Sequence, residues 1–377
     1  MRLSSVAIIG VGLIGGSFAA ALKGLEHPPR VWGIDTDADS LAWAVKNGLL
    51  DDAASPGSEM AARWLGPEGA DLVVLAAPAA RIVEWMERLG TLGYRGTVTD
   101  VASTKSAVIE AAEKCLGEKA AFVGGHPMAG SERSGVHAAD ADLFRGAYYV
   151  LTPTPTTDVD AYRRVHALVS EFGSRVLSVD ATAHDQAVAI VSHVPHVAAS
   201  ALVELAAAHA GDGGDLLRLA AGGFKDTTRV AAGSADLWTG ICLDNSEAVA
   251  SGVDELRDVL TEFVNMLRAQ DRAGLRAWLA RAAEVRRSLP AQWVPATSQL
   301  TEITVPVLDR PGVIAEVTTA ASRSGCNIEA IEIDHMSEAS ANLIVVMTDE
   351  GDIARFVADL RDAGYAPLAR PLESGEE

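Results

Sequence analysis

Cysteine is scarce in this chain. Cys115, Cys242 and Cys326 lie far apart and show no CxxC spacing. That excludes a zinc ribbon and a disulfide framework, and it fits a reducing cytoplasm. Aromatic residues make up 5% of the chain against 49% hydrophobic residues. Alanine, valine and leucine must therefore build the core, and much of it should be helical. Positive charge is also short. The 31 Lys and Arg face 51 Asp and Glu, a net charge of −20. Nucleic acid and anionic membranes are thus not expected as partners, and an anionic substrate needs a local cationic pocket. No uninterrupted apolar stretch reads as long enough to span a bilayer. Glycines break the N-terminal apolar run at once, so it reads as a strand and not as a secretion signal.

A length of 377 residues predicts two or three domains. Residues 1–179 alternate short apolar runs with amphipathic helical stretches. Strands are expected at 6–10, 30–34, 71–76, 96–100, 121–125, 148–152 and 175–179. Such alternation implies βαβ units, and so an α/β domain with a doubly wound, mostly parallel sheet. From 180 to 287 the strand signal vanishes. The spacing of Leu256, Val259, Leu260, Phe263 and Leu267 is helical, which predicts an all-helical substrate and dimerisation domain. Residues 288–300 read as a linker. Residues 301–372 carry the order βαββαβ of a ferredoxin-like module.

The first strand runs into Gly10-Val11-Gly12-Leu13-Ile14-Gly15. In a dinucleotide-binding turn of Rossmann type, Gly10 permits the tight turn. Gly12 lets the backbone approach a pyrophosphate, and Gly15 lets helix and strand pack closely. Leu13 and Ile14 then open a helix whose free N–H groups face the phosphates. Asp35 ends the second strand, 25 residues after Gly10. Its carboxylate can accept from ribose hydroxyls and would repel a 2′-phosphate, so NAD is expected. The alternative is a phosphate-free α/β turn. Ala77 and Pro78 end the third strand and leave room for a cofactor.

Ser103 and Lys105 follow the fourth strand, at the edge where open α/β sheets bind ligands. Lys105 also reads as a solvated helix residue. His126, in Gly124-Gly125-His126-Pro127-Met128-Ala129-Gly130-Ser131-Glu132, ends the fifth strand on the same edge. An imidazole beside a nicotinamide can take the proton of a hydroxyl whose carbon gives up hydride. The alternative is a core histidine bonded to a backbone carbonyl; convergence with Ser103 favours the catalytic reading. His193 and His196 lie three apart, but no further ligands stand near them, so no metal is expected. Lys225 and Arg229, four apart, would project together from a helix and suit a carboxylate. Alternatively, Asp226 and Arg229 form a surface ion pair.

With these blocks in order, the chain resembles the prephenate dehydrogenase family of tyrosine biosynthesis. The resemblance rests on the glycine turn, the 100–105 segment, HPMAGSE, SHVPH and GGFKDTTR, over residues 6 to about 245. It implies NAD-dependent oxidative decarboxylation of prephenate to 4-hydroxyphenylpyruvate. It also implies His126 as base, with Ser103 orienting the hydroxyl and contacting the cofactor. Arg229 would hold the ring carboxylate, and His196 and Lys225 the side-chain carboxylate. Ser131 and Glu132 would complete the substrate pocket, Glu132 ordering its cations or gating its entrance. The C-terminal module resembles an ACT domain. Asp309, Gly312, Asn327 and Ile328 would then contact an aromatic amino-acid effector, tyrosine for example. Long apolar helical faces imply a homodimer. Three alternatives stand: an arogenate dehydrogenase, a β-hydroxyacid dehydrogenase, and a non-catalytic amino-acid sensor that keeps NAD binding.

Overall fold

The computed structural model describes residues 3–117, 120–130, 133–209, 220–288, 300–308, 310, 312–326, 328–337, 340–348 and 352–371. The chain divides into two compact units, Met1–Leu275 and Arg276–Glu377. The expected linker lies almost wholly outside the described residues.

The first unit is built on one sheet. Its strands are β1 (Ser5–Ile9), β2 (Arg30–Ile34), β3 (Asp52–Ala54), β4 (Leu72–Leu75), β5 (Thr97–Asp100), β6 (Ala121–Pro127), β7 (Tyr148–Thr152) and β8 (Arg175–Ser178). The order is β3-β2-β1-β4-β5-β6-β7-β8. Every pair is parallel except β6 with β7. Alternate residues of β1 serve two cores. Val6 and Ile8 pack with Phe18 and Leu22 on one face, and Ala7 and Ile9 with Val98 and Ile82 on the other. Burial on both faces is why this strand reads as a continuous apolar run with no polar alternation. The sequence reading placed the other seven strands within two residues at each end but missed β3. Asp52-Ala53-Ala54 has no strand signature; pairing with β2 at the sheet edge makes it one.

The helices of the remainder include Ala181–Val188, a π turn at Ala189–His193, and Val194–His209. Together they form a continuous helical run of 29 residues with hydropathy 1.5, long and apolar enough to cross a membrane by length and composition. The sequence reading looked for an uninterrupted apolar stretch, which this run is not. Polar residues do interrupt the run, and all of them on its inner side are buried: His184, Asp185, His193 and His196. Buried titratable groups with shifted pKa values mark this run as a candidate site.

In the second unit, β9 (Leu300–Leu308), β10 (Ile328–Ser337), β11 (Ser340–Thr348) and β12 (Leu368–Pro371) form an antiparallel sheet in the order β10-β11-β9-β12. Helices Val313–Arg323 and Ile353–Asp362 cover one face, where Ile303, Val305, Val345 and Met347 meet Val317, Phe356 and Leu360. Gly312 adopts φ +93° at the start of the first helix, a backbone that favours glycine. Ile328 gives its side chain to this core. Asp309 and Asn327 lie outside the described residues.

Candidate active site

The glycine turn has the shape the sequence requires. Gly10 sits at φ +94°, and a Cβ there would lie 2.5 Å from the Ala76 carbonyl oxygen. A Cβ on Gly15 would lie 1.9 Å from the Gly10 oxygen, whereas one on Gly12 would meet nothing within 4 Å. The open side of Gly12 is therefore free for a ligand, and Gly10 and Gly15 let the turn close behind it. The helix from Leu13 through Ile14 has no side-chain cap, so its first N–H groups remain available to phosphate. Asp35 accepts from the Val11 N–H at 2.6 Å and from the Asp37 N–H at 2.9 Å. It braces the turn. Ala77 and Pro78 follow β4 after Ala76, and Pro78 precedes the helix Ala79–Leu92 as its cap. These features fit a bound dinucleotide.

His126 lies near the end of β6 and is half-buried. Beneath it is a dry ionic cluster. Lys105 is fully buried and donates to the Asp100 carboxylate and, at 2.7 Å, to the Gly125 carbonyl. Asp100 in turn accepts from the Gly125 N–H at 3.0 Å and the Ala102 N–H at 2.9 Å. Both backbone polar groups of Gly125, the residue before His126, are thus tied to one ion pair. The reading of Lys105 as a solvated helix residue is overturned. Its pKa is lowered by burial, a shift that the Asp100 and Asp185 charges oppose. Ser103 is half-buried in the loop between these two charged residues.

His126 is bonded through Nδ1 to Nε2 of His184 at 2.9 Å. His184 Nδ1 lies 2.8 Å from Asp185 Oδ1. Burial pushes the His126 pKa well below the usual histidine value, and the Lys105 charge lowers it further. His126 is therefore a neutral imidazole at physiological pH, the form a general base requires.

On the helical side, His193 and His196 are buried, and burial lowers both pKa values. His196 stacks on Trp238 with ring centroids 3.5 Å apart, and its Nδ1 has no protein partner. A buried nitrogen of that kind is costly unless a ligand or water meets it. Among the described residues no three His, Cys, Asp or Glu side chains are grouped to hold a metal ion. Lys225 lies in the helix Gly222–Thr228 and Arg229 begins the turn after it; both are exposed. This segment packs against the helix Val194–His209 that carries His196. Ser131 and Glu132 lie outside the described residues.

Comparisons with known proteins agree with this geometry. The family description "Prephenate dehydrogenase, nucleotide-binding domain" matches residues 18–178, and "Prephenate dehydrogenase, dimerization domain" matches residues 180–281. A prephenate dehydrogenase of Bacillus subtilis is 33% identical over 87% of this chain and 88% of its own. The chain belongs to the prephenate dehydrogenase family. Among solved structures, the Aquifex aeolicus prephenate dehydrogenase in complex with hydroxyphenyl propionate and NAD+ is similar at TM-score 0.72 and 30% identity. That likeness covers 77% of this chain and 99% of the other. A Synechocystis arogenate dehydrogenase is similar at TM-score 0.64 and 30% identity, over 76% of this chain and 100% of its own.

For a member of the prephenate dehydrogenase family, the sequence reading missed two residues close to the candidate base, His184 and Asp185. Their signal was an adjacent His-Asp pair in an otherwise apolar, alanine-rich helix. That pattern alone does not say which strand end the pair will meet.

Proposed function

We propose that this chain oxidises and decarboxylates prephenate to 4-hydroxyphenylpyruvate with NAD, in the synthesis of tyrosine. The carrying observation is His126, a neutral and half-buried base at the carboxyl edge of the sheet whose β1 ends in the glycine turn. Gly10, Gly12 and Gly15 would hold NAD, with Asp35 on the ribose and Ala77, Pro78 and Ser103 beside it. NAD, when bound, supplies the hydride acceptor. His126 takes the ring hydroxyl proton as the carbon beneath that hydroxyl gives up hydride, which leaves a ring ketone. The bond to the ring carboxylate then breaks, carbon dioxide leaves, and the released electron pair makes the ring aromatic. The phenolate oxygen regains its proton. Ser103 orients the hydroxyl. Arg229 holds the ring carboxylate, and His196 and Lys225 the side-chain carboxylate, and Ser131 and Glu132 are read as substrate-binding from the sequence. Because aromatisation drives the reaction, the protein's task is to orient and to move one proton.

The active species in this reading is a cytoplasmic homodimer. Leu202, Leu205, Leu260 and Leu267 are exposed on the helices of the 180–281 segment, and apolar surface of this extent needs a cover. The second unit is read as an ACT-type regulatory module, with Asp309, Gly312, Asn327 and Ile328 assigned from the sequence to a tyrosine-like effector. The βαββαβ order and the left-handed Gly312 support this.

The test is NADH formation from prephenate, with arogenate in parallel and tyrosine titrated into each. Turnover of prephenate with inhibition by tyrosine is expected. Turnover of arogenate alone would move the substrate, and silence on both with NAD bound would overturn the dehydrogenase reading.

A further inference from the structure

The contacts around His126 form a single file. Asp185 accepts from the Lys105 N–H through Oδ1 and from the Ser106 N–H through Oδ2, each at 2.8 Å. Its own carbonyl accepts from Asn245 Nδ2 at 2.7 Å. Backbone and side chain are therefore both anchored. Burial alone would raise its pKa, but hydrogen bonds from His184, Ser106 and Lys105 outweigh it and hold the carboxyl at about 2. A carboxylate without a proton can only accept, so His184 Nδ1, 2.8 Å away, must carry hydrogen. His184 is almost fully buried, and its other nitrogen faces His126 Nδ1 at 2.9 Å. With one hydrogen on its ring, held at Nδ1 by the carboxylate, His184 presents a bare Nε2, and His126 donates to it from Nδ1. That leaves the lone pair of His126 on Nε2, the nitrogen on the far side of its ring.

We propose that Asp185 and His184 are positioning residues which act through His126, holding it in the Nδ1–H tautomer with Nε2 free to take the substrate's proton. The proposal rests on the dehydrogenase reading. When the hydroxyl O–H bond breaks and the Nε2–H bond forms, His126 gains a positive charge. Its Nδ1–H is already given to His184, whose Nδ1–H is given to an ionised carboxylate. The chain stabilises the imidazolium with no second proton transfer, the same logic by which a buried aspartate serves the histidine of a serine protease. The charged and titratable groups that face His126 are Lys105, His184, His193 and Asp185. A positive charge on Lys105, His184 or His193 disfavours protonation, and Asp185 favours it.

The tautomer is directly observable. Full-length protein labelled with 15N-histidine, without substrate, gives a two-bond proton–nitrogen spectrum in which His126 is assigned by its loss in His126→Asn. The expected pattern is a neutral ring with hydrogen on Nδ1. In His184→Phe the partner is gone. The Nε2–H form should grow and kcat on prephenate fall by roughly 10²-fold or more, with KM and NAD affinity little changed. His184→Gln, whose amide oxygen can accept from Nδ1–H, should recover part of kcat and of the tautomer. A wild type with hydrogen on Nε2 overturns the proposal, and so does His184→Phe with wild-type kcat. Because the tautomer is read without substrate, it separates the two claims. The Nδ1–H form in a protein that oxidises neither acid keeps the hydrogen-bond chain and removes only the dehydrogenase reading.

Discussion

Two clusters in this molecule use the same ingredients in opposite surroundings. In the first unit Lys105 meets Asp100 and the Gly125 backbone, with both charged side chains at 0% exposure. In the second unit Arg310 forms a two-pronged pair with Glu316 at 2.9 and 2.8 Å, and the Tyr365 hydroxyl donates to the same carboxylate. There the charged side chains are 49% and 45% exposed. Geometry alone would rate the second cluster higher, because arginine grips a carboxylate bidentately. Burial reverses the ranking. In water an unpaired partner is resolvated at little cost, whereas in the interior it has nowhere to go. The exposed cluster tethers the turn before one helix to the segment before β12. The buried cluster sets where His126 stands and which charges surround it.

The comparison can be broken at its functional end first. His126→Asn should cut kcat on prephenate by roughly 10²–10⁴, the range for a lost general base, with substrate KM nearly unchanged. An unaltered kcat in steady-state assays would mean that the buried cluster serves the fold alone. Next comes Lys105→Met, which strands Asp100 in a dry interior. A loss of about 3–5 kcal/mol is expected from denaturant unfolding, the usual cost of breaking a buried pair. The double variant Lys105→Met/Asp100→Asn should regain part of it, because the amide oxygen can still accept one of the N–H groups that Asp100 now serves. Equal losses in the single and double variants would show that the pair is not the source. The smallest effect belongs to Glu316→Gln. Its melting temperature should stay close to wild type, and a large drop would place the exposed cluster on a par with the buried one.

Much of the first unit was legible because its signals are local. The glycine turn, Asp35 and the strand-end position of His126 each follow from a few adjacent residues. Tyr148–Thr152 and Arg30–Ile34 are mostly apolar, and both stand where the pattern placed them. What failed was non-local. β3 exists only because β2 is beside it. Lys105 sits at a helix start, where a lysine ordinarily finds water; that it is buried depends on Asp100, five residues back, and Gly125, twenty residues on. The helical run from residue 181 read as apolar, but that His184, Asp185, His193 and His196 turn inward depends on what packs against it.

Residue chemistry and spacing by themselves determined the fold class of the first unit, the cofactor and the family, since each depends on short stretches whose backbone geometry glycine and apolar periodicity dictate. Only tertiary structure decided which side chains surround the base. His184 and Asp185 lie 58 residues or more from His126 along the chain, and their hydrogen bonds exist because a helix packs across a strand end. Burial then excludes water from those groups, and where water is excluded each proton must reside on one particular nitrogen or oxygen.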